Sequence, residues 1–343
     1  MSLARAIATG DLAELPSRRD EDWRWSDIRG LVRALPRASP THAGALVSGP
    51  FAEVEAERIE IVNGRGPARL ELAAGETRRV ALRYIAADAG SHASRLSIAI
   101  GPDAELTLLE SYEGEAPAVT EADMEISIGP GARLERIVLA DQAEETVSVS
   151  MTRIELAPGA SFAQTVVTAG ARRQRVETRV RHLGGGASAR LDGLYLVSDK
   201  RHGDITTVVV HQAPDGATDQ LTKGVVSDQG RGVFQGRVEV RPGADRTDAK
   251  MGHHALVLSD RAEVDAKPEL EIYADDVVCS HGNSVGALDE EALFYTRQRG
   301  IPEREARAML TEAFVGEVVD RIGHDGAREA VRAWVATHTA GLA

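Results

Sequence analysis

The chain has 343 residues, of which 43% are hydrophobic but only 4% aromatic, and its formal net charge is −13. Because a surface this acidic repels phosphate backbones and anionic lipid, we expect neither nucleic acid nor membrane as a partner. The single cysteine, Cys279, excludes an intrachain disulfide, and Met1 to Gly10 lacks the basic head and long apolar core of a signal peptide, so a cytoplasmic location is expected.

Residues 1–50 predict a helical segment followed by a linker. A charged stretch runs from Arg18 to Arg24 and contains Trp23, and a second tryptophan, Trp25, follows it. Proline, serine and glycine are then frequent from Pro36 to Pro50, a composition typical of a linker. We therefore expect these residues to flank the main domain.

A short turn signature recurs through the middle of the chain and indicates a repeat. Its copies are Pro102-Asp103-Ala104, Pro130-Gly131-Ala132, Pro158-Gly159-Ala160, Gly185-Gly186-Ala187, Asp215-Gly216-Ala217 and Pro242-Gly243-Ala244, with a weaker copy at Ala74-Gly75-Glu76. Successive copies lie 27–30 residues apart. A constant period of this size is typical of a protein built from stacked structural units.

Each copy is followed by a run that predicts a strand. Arg133–Leu139 and Ser161–Val167 mix period-two alternation with β-branched residues. A unit of about 28 residues holds two or three strands and their turns but no crossover helix, which argues against a TIM barrel or a doubly wound sheet. A β-sandwich is the main structural alternative, but its strands do not recur at a constant spacing of this size. The remaining architecture is a β-solenoid.

The sequence changes to helical patterns after residue 286. Asp289 is a plausible N-cap for a helix from Glu290 to Arg299, and Gly300 ends it. Pro302 suits the first position of a second helix, and a third is predicted around Ala327 to Val335. The predicted apolar stripe of the second helix is Ala306, Leu310, Ala313, Phe314 and Val318. Helices here would cover the open end of the solenoid, which otherwise exposes unpaired backbone.

Few motifs in the sequence indicate a catalytic or metal-binding role. Gly184-Gly185-Gly186 is not followed by the Lys and Ser or Thr of a phosphate-binding loop, so no nucleotide hydrolysis is expected. His253 and His254 are adjacent, so on a strand they face opposite ways and cannot bind one ion. Cys279 and His281 are two residues apart, which on a strand places thiol and imidazole on one face about 7 Å apart.

The Cys279 and His281 side chains suit iron, copper or zinc, but two ligands are too few for a closed site. A partner, a sulfide or solvent would have to complete it. The alternative is a small buried cysteine and a histidine that satisfies a hydrogen bond at the end of a coil. The spacing alone leaves both interpretations open.

Most of the chain, and its C-terminal third most specifically, resembles the SufB/SufD family of iron–sulfur cluster assembly scaffold proteins. The residues that carry the resemblance are Lys267 to Gly282, Val285 to Tyr295 and Arg299-Gly300-Ile301, with weaker upstream markers in Arg18 to Ile28 and Val62-Asn63-Gly64. SufB has a Glu-His-Glu-Ala-Thr-type run where this chain has Cys279 to Ser284, which favours the SufD branch. We predict a mainly β fold: a right-handed parallel β-helix over residues 51–286, with coils of about 28 residues and a helical C-terminal domain over 287–343.

The resemblance also implies a function. It implies a non-catalytic scaffold that pairs with SufB through the β-helix and holds the ATPase SufC on its C-terminal helices. A nascent cluster would form at the SufB interface near His281, and near Cys279 if the thiol ligates rather than packs. No cofactor is expected to stay on the isolated chain, which could form a homodimer; iron or a cluster would be bound transiently in the complex.

The expected SufC-docking residues are Phe294, Tyr295, Arg297, Arg299, Leu310 and Phe314. Two other functions stay open. A polysaccharide-active β-helix lyase is disfavoured by the low aromatic content and the absence of an export signal. A purely structural interaction solenoid without a metal role fits the same composition and repeat.

Overall fold

A computed structural model describes residues 2–342, and parallel strands occupy most of residues 57–286. The strands alternate between two sheets. The nine-stranded sheet contains, in spatial order, β1 (Glu57–Val62), β3 (Thr77–Ile85), β5 (Glu105–Gly114), β7 (Arg133–Gln142), β9 (Ser161–Gly170), β11 (Ser188–Val197), β13 (Ala217–Val226), β15 (Asp248–Val257) and β17 (Val278–Gly286). The eight-stranded sheet contains β16 (Glu263–Ile272), β14 (Arg231–Val240), β12 (His202–His211), β10 (Arg173–His182), β8 (Val147–Leu156), β6 (Ala118–Ile128), β4 (Gly90–Ile100) and β2 (Arg69–Leu72).

Every strand pairs in parallel with the strand two positions along the chain, so one coil stacks on the next. β5 and β7 pair from Glu105 with Arg133 to Gly114 with Gln142, an offset equal to one repeat. No helix connects the paired strands within the described coils. The predicted parallel β-solenoid is confirmed.

The turn signature has a backbone cause. Its middle residue adopts a positive φ, 67° at Gly131 and at Gly159, and Asp103 takes the same place at 55°. Glycine enters this left-handed region without a steric penalty, and Asp tolerates it better than most residues. In the fifth copy the positive φ shifts by one residue to Asp215 (60°), so Gly216 is buried where other copies bury alanine.

Three apolar clusters hold the molecule together. The largest fills the lumen between the two sheets with residues such as Leu108, Ile126, Leu134 and Val238. Each is at most 2% exposed. Truncating a buried Leu or Ile of this kind to Ala costs about 2–5 kcal/mol, because a cavity remains in the packed interior.

The C-terminal region forms three helices, α2 (Glu290–Gln298), α3 (Glu303–Asp320) and α4 (Asp325–Leu342), numbered after α1 at the N-terminus (Leu3–Thr9). The predicted N-cap is confirmed: Asp289 Oδ1 accepts from the amides of Glu291 at 2.9 Å and Ala292 at 3.2 Å. Pro302 precedes α3 as its N-cap residue rather than occupying the first helical position.

The expectation that these helices cover the open end of the solenoid is wrong. They pack on the outer face of the nine-stranded sheet, where Val315, Val318 and Val331 meet Leu139 and Val167. This face offers a continuous apolar surface, so burying it is worth more than covering one coil.

The predicted stripe of α3 is also wrong at one position. Ala313 is exposed, whereas Val315 and Val319 are buried. The buried face of α3 is therefore rotated relative to the predicted one. Among the described residues, no helix is both long and apolar enough to cross a membrane.

Residues 2–50 contain α1, two short 3₁₀ turns and irregular chain that packs on the outer face of the eight-stranded sheet. Trp23 lies over the buried guanidinium of Arg175, 4.3 Å from its Cζ to the ring centroid. Arg175 donates to the backbone oxygen of Asp22 at 2.6 Å and to the carboxylates of Glu177 and Asp204 at 2.8 and 3.1 Å. The tryptophan-containing stretch is thus an anchor to the solenoid rather than a free linker.

Candidate functional site at the open end of the solenoid

The last coil, formed by β16 and β17, is left uncovered. β17 pairs with β15 along one edge, and no described strand pairs with its other edge. Nearly all of β17 is exposed, and most of β16 is half-buried. Apolar side chains lie open on this coil: Ile272 (43% exposed), Tyr273 (57%), Val278 (65%) and Val285 (49%). An exposed apolar edge strand of this kind is a template for pairing with another chain.

Cys279, His281 and Asn283 lie at the mouth of the lumen. They pair in register with Ala249, Met251 and His253 of β15, which are buried and face the lumen. Register partners in a parallel pair share a face, so the three β17 side chains point the same way. Cys279 packs against the inner apolar cluster, while His281 is exposed because no further coil covers it. The fold therefore places the two predicted ligands on one face.

A buried hydrogen-bond chain ends at Asn283. The Tyr195 hydroxyl lies 2.8 Å from His253 Nε2, and His253 Nδ1 lies 2.7 Å from Asn283 Oδ1. Burial lowers the pKa of His253 to about 4, so its ring is neutral and carries one N–H. The Asn283 oxygen can only accept, so this proton is on Nδ1, and Nε2 accepts from Tyr195. These hydrogen bonds hold the Asn283 side-chain oxygen towards His253. The Asn283 amide NH₂ is therefore available as a donor at the mouth of the lumen.

Packing holds this chain in place. The Phe234 ring stacks on His253 with centroids 4.8 Å apart. A Cβ at Gly224 would lie 1.9 Å, and one at Gly232 2.3 Å, from atoms of the Tyr195 side chain. Only glycine at these two positions admits the ring into the lumen. These hydrogen bonds leave no local pattern in the sequence, because Tyr195 and Asn283 are far apart along the polypeptide. The two lumen-facing glycines are the signal that could have indicated Tyr195.

The Cys279 thiol is not an activated nucleophile. Burial raises its pKa, and the carboxylate of Asp248 acts in the same direction, while a backbone hydrogen bond at Ala249 opposes them. A thiol of this kind stays protonated at neutral pH, whereas nucleophilic cysteines have lowered pKa values. Among the described residues, no three His, Cys, Asp or Glu converge to hold a metal ion. The mouth therefore presents an incomplete donor set.

The adjacent histidines His253 and His254 face opposite sides of the sheet. His253 points into the lumen, while His254 Nδ1 lies 2.7 Å from the Ser284 hydroxyl on the outer face. Adjacent strand residues face opposite ways, as the sequence indicated.

The residues predicted to dock an ATPase lie in two environments. Phe294 is 65% and Tyr295 57% exposed, Arg299 stacks on the Tyr295 ring at 4.6 Å, and Arg297 pairs with Glu303 at 3.2 Å. Phe294, Tyr295 and Arg297 of α2, with Arg299 just after it, form an exposed surface, which we call the α2 surface.

Leu310 and Phe314 instead attach α3 to the solenoid. Both are half-buried against the outer apolar cluster. Lys223 of β13 donates to the Phe314 backbone oxygen at 2.8 Å, and its ammonium lies 4.4 Å from the centroid of the Phe314 ring. Their contacts are internal to the chain.

Comparison with known proteins gives consistent results. The family model for the SufBD core domain of SUF system FeS cluster assembly matches residues 83–314. An iron–sulfur cluster assembly SufBD family protein of Mycobacterium leprae is 32% identical over 352 residues, covering 93% of this chain and 89% of that protein.

Two relatives carry the SufD name. The iron–sulfur cluster assembly protein SufD of Escherichia coli is 39% identical over 150 residues, which are 44% of this chain and 36% of that protein. The SufD of Bacillus subtilis is 32% identical over 126 residues, which are 37% of this chain and 29% of that protein. The chain thus spans about a third of the length of these two relatives.

Proposed function

The chain belongs to the SufBD family of the SUF iron–sulfur cluster assembly system, and we propose that it serves there as a SufD-type, non-catalytic scaffold. The observation that carries this proposal is the uncovered last coil, which presents Cys279, His281 and Asn283 at the lumen mouth beside an unpaired strand edge. Such a coil is a surface that needs a second protein to complete it.

We propose that SufB pairs with this open coil. The free edge of β17 offers a row of backbone donors and acceptors, and the exposed side chains of Tyr273 and Val278 supply apolar area. Adding a strand to an exposed edge is a common mode of recognition, because the main chain bonds while alternate side chains select the partner. In the absence of SufB, the same edge would support a homodimer.

The cluster or its iron is the cargo of this site. His281 supplies an imidazole of borderline softness, and Cys279 supplies a thiol that loses its proton when it ligates iron. The Asn283 amide NH₂, held by His253, is placed to donate to a sulfide or thiolate at the mouth. SufB would contribute the missing ligands, so the isolated chain is expected to bind iron only weakly.

We propose further that SufC docks on the α2 surface. Phe294 and Tyr295 expose aromatic side chains on the short helix α2. The basic residues Arg297 and Arg299 lie beside these two rings. Aromatic residues and arginine are the types most enriched at energetically important interface positions.

The site assignment is tested by coexpression with SufB and SufC. We expect the His281→Ala chain to co-purify with both partners in unchanged amounts and to support iron–sulfur enzyme activity at a tenth of the normal level or less. Ser280→Ala, on the opposite face of β17, is the matched control and should be silent. Cys279→Ala should resemble His281→Ala if the thiol ligates and be nearly silent if it packs.

Two outcomes separate the parts of the proposal. Normal activity with His281→Ala, in cells that depend on this system alone, would remove the site assignment and leave the scaffold role. Failure of the unmodified chain to co-purify with SufB would remove the pairing. For SufC, Phe294→Asp should abolish capture, whereas Met309→Asp, at a similarly exposed position on α3, should not.

A further inference from the structure

An open depression lined with arginine lies between the N-terminal segment and the eight-stranded sheet, outside the lumen. Its volume is about 660 Å³, and the charged residues that line it are Arg18, Arg19, Arg29, Arg33, Arg173 and Asp27. Five guanidinium groups and one carboxylate therefore surround it. A volume of this size is typical of small-molecule sites.

This arrangement is unusual in a chain with a net charge of −13. Many exposed arginines elsewhere have carboxylate partners, as in the pairs that Arg181 forms with Glu155 at 2.8 Å and Arg95 with Glu125 at 2.6 Å, although others, such as Arg37 and Arg261, have none among the described side chains. In the part of the chain that the structure describes, the side chains of Arg18, Arg19 and Arg33 have no such partner. The depression is thus a local excess of positive charge on an acidic protein.

Arg173 adds an unsatisfied donor. Its Nε is buried and has no hydrogen-bond partner among residues 2–342, while its Nη1 donates to the Trp25 backbone oxygen at 3.3 Å. Burial lowers the pKa of Arg173, and the neighbouring guanidiniums of Arg231 and Arg172 act in the same direction, whereas the carboxylates of Asp27 and Asp204 oppose them. A bound anion would offset this repulsion between guanidinium groups.

Hydrogen bonds within residues 15–30 hold the backbone around the depression in place before any ligand binds. Arg29 Nε donates to the Leu15 backbone oxygen at 3.0 Å. The Ser17 amide donates to the Asp20 carboxylate at 2.9 Å, and the Gly30 amide to the Asp27 carboxylate at 2.8 Å. Preorganisation of this kind lowers the entropic cost of binding.

A second groove of about 500 Å³ continues from the depression and shares Leu31 and Arg33 with it. Its lining is mainly apolar, with Val32, Pro36 and Val119 among its residues. The combined site is basic at one end and apolar at the other.

We propose that the depression binds a phosphate-bearing small molecule with at least two phosphate groups, whose organic part lies in the adjoining groove. The guanidinium fork matches phosphate oxygens in a bidentate manner. Several forks around one cavity exceed what a single monoanion can satisfy. The site is separate from the lumen mouth, so it does not depend on the function proposed above.

The experiment is calorimetric titration of the full chain at low salt with inorganic pyrophosphate, ADP, sulfate and a hexaglutamate peptide. We expect pyrophosphate to bind, ADP to bind at least threefold more tightly because its base reaches the groove, and sulfate to bind at least tenfold more weakly. Affinity should fall as salt is added.

The triple variant Arg18→Gln, Arg19→Gln, Arg33→Gln should lose at least tenfold in ADP affinity, with unchanged circular dichroism because all three side chains are exposed. The matched control is Arg69→Gln, Arg95→Gln, Arg133→Gln, which removes the same charge from exposed positions elsewhere and should bind ADP normally.

Four results would overturn the proposal. They are an absence of binding by pyrophosphate and ADP, equal losses in the two triple variants, sulfate binding as tight as pyrophosphate, and a hexaglutamate peptide that binds more tightly than ADP. The second would show only a general charge effect, the third an adventitious ion only, and the fourth an acidic protein partner. ADP binding no tighter than pyrophosphate would overturn the assignment of the groove.

Discussion

The middle of the lumen and its mouth use equivalent positions of one repeat, yet they present different chemistry. In the middle, Arg136 is fully buried, bonds both oxygens of the buried Glu110 carboxylate at 2.7 Å and donates to Gln164 at 2.6 Å. At the mouth, Cys279 and His281 face the same interior with no coil above them.

The difference shows how a repeat can create a binding surface without a dedicated motif. Within the stack a coil can satisfy the polar groups of its neighbour, as Arg136 of β7 does for Glu110 of β5. The last coil has a neighbour on one side only. Its lumen-facing polar groups stay available, so ending the repeat at residue 286 is what exposes the donors.

The largest expected effect is a loss of stability in acid, which acts on the closed coils. Burial lowers the pKa to about 3 for His182 and His202 and to about 4 for His211 and His253. Between pH 6.5 and 4 the unfolded chain binds protons at these histidines and the folded chain does not, so stability falls as pH falls. Burial raises the pKa of Asp192 to about 7, so this carboxyl binds a proton more readily in the folded protein and opposes the loss of stability.

With His92, whose pKa burial lowers to about 4, five histidines outnumber the three groups whose raised pKa opposes this loss, Asp192, Glu121 and His338. We therefore expect a net loss of several kcal/mol, on the order of 1 kcal/mol per pH unit for each uncompensated histidine. Urea unfolding at pH 7.5, 6.5, 5.5 and 5.0 measures it. A free energy of unfolding that stays level over this range would show that the closed coils admit protons while folded.

The second effect is on the buried ion pair. Arg136→Met leaves the Glu110 carboxylate buried without its partner, and we expect a loss of about 3–5 kcal/mol. The double variant Arg136→Met, Glu110→Leu should recover most of it, because both charges are then absent. A double variant no more stable than the single one would show that packing, rather than charge, dominates the middle of the lumen.

The third effect concerns the hydrogen-bond chain from Tyr195 through His253 to Asn283, which connects the interior of the lumen to its mouth. Tyr195→Phe removes the donor to His253 Nε2 and should cost about 1–3 kcal/mol. Tyr84→Phe is the matched control: Tyr84 is also buried, but its hydroxyl has no hydrogen-bond partner in the described chain, so this change should be neutral or stabilising. Equal losses would mean that the Tyr195–His253 contact contributes nothing.

The smallest effect is expected at His281, whose register position is shared by a buried residue in the coil before it. Met251 and His281 are partners in β15 and β17, but Met251 is 2% exposed and His281 is exposed. We expect Met251→Ala to cost about 2–5 kcal/mol and His281→Ala less than about 1 kcal/mol. Chemical denaturation of both variants checks this. A comparable loss at His281 would indicate a structural role for the imidazole.

Much of the fold could be predicted from local signals. The positive φ at Gly131 and its equivalents leaves a regular mark in the sequence, and the N-cap at Asp289 is equally local. The place of the C-terminal helices could not be predicted, because it depends on the outer apolar face of the nine-stranded sheet, whose residues are spread over many coils. The hydrogen-bond chain from Tyr195 to Asn283 could not be predicted either, because its residues also come from separate coils.

Of the candidate site, the shared face of Cys279 and His281 followed from strand geometry, but Asn283 did not. An asparagine gives no signal of its own. Its orientation comes from His253, and that of His253 from Tyr195, so only the stacked coils reveal it.

The N-terminal anchor has a consequence for the order of folding. Trp23 and Asp22 contact Arg175, and Glu21 pairs with Lys267 of β16 at 2.7 Å, a separation of 246 residues along the chain. During synthesis these residues leave the ribosome long before the strands that receive them. The contacts of Glu21, Asp22 and Trp23 can therefore form only after β10 and β16 have been made, and we expect them to form in a late, high-contact-order step.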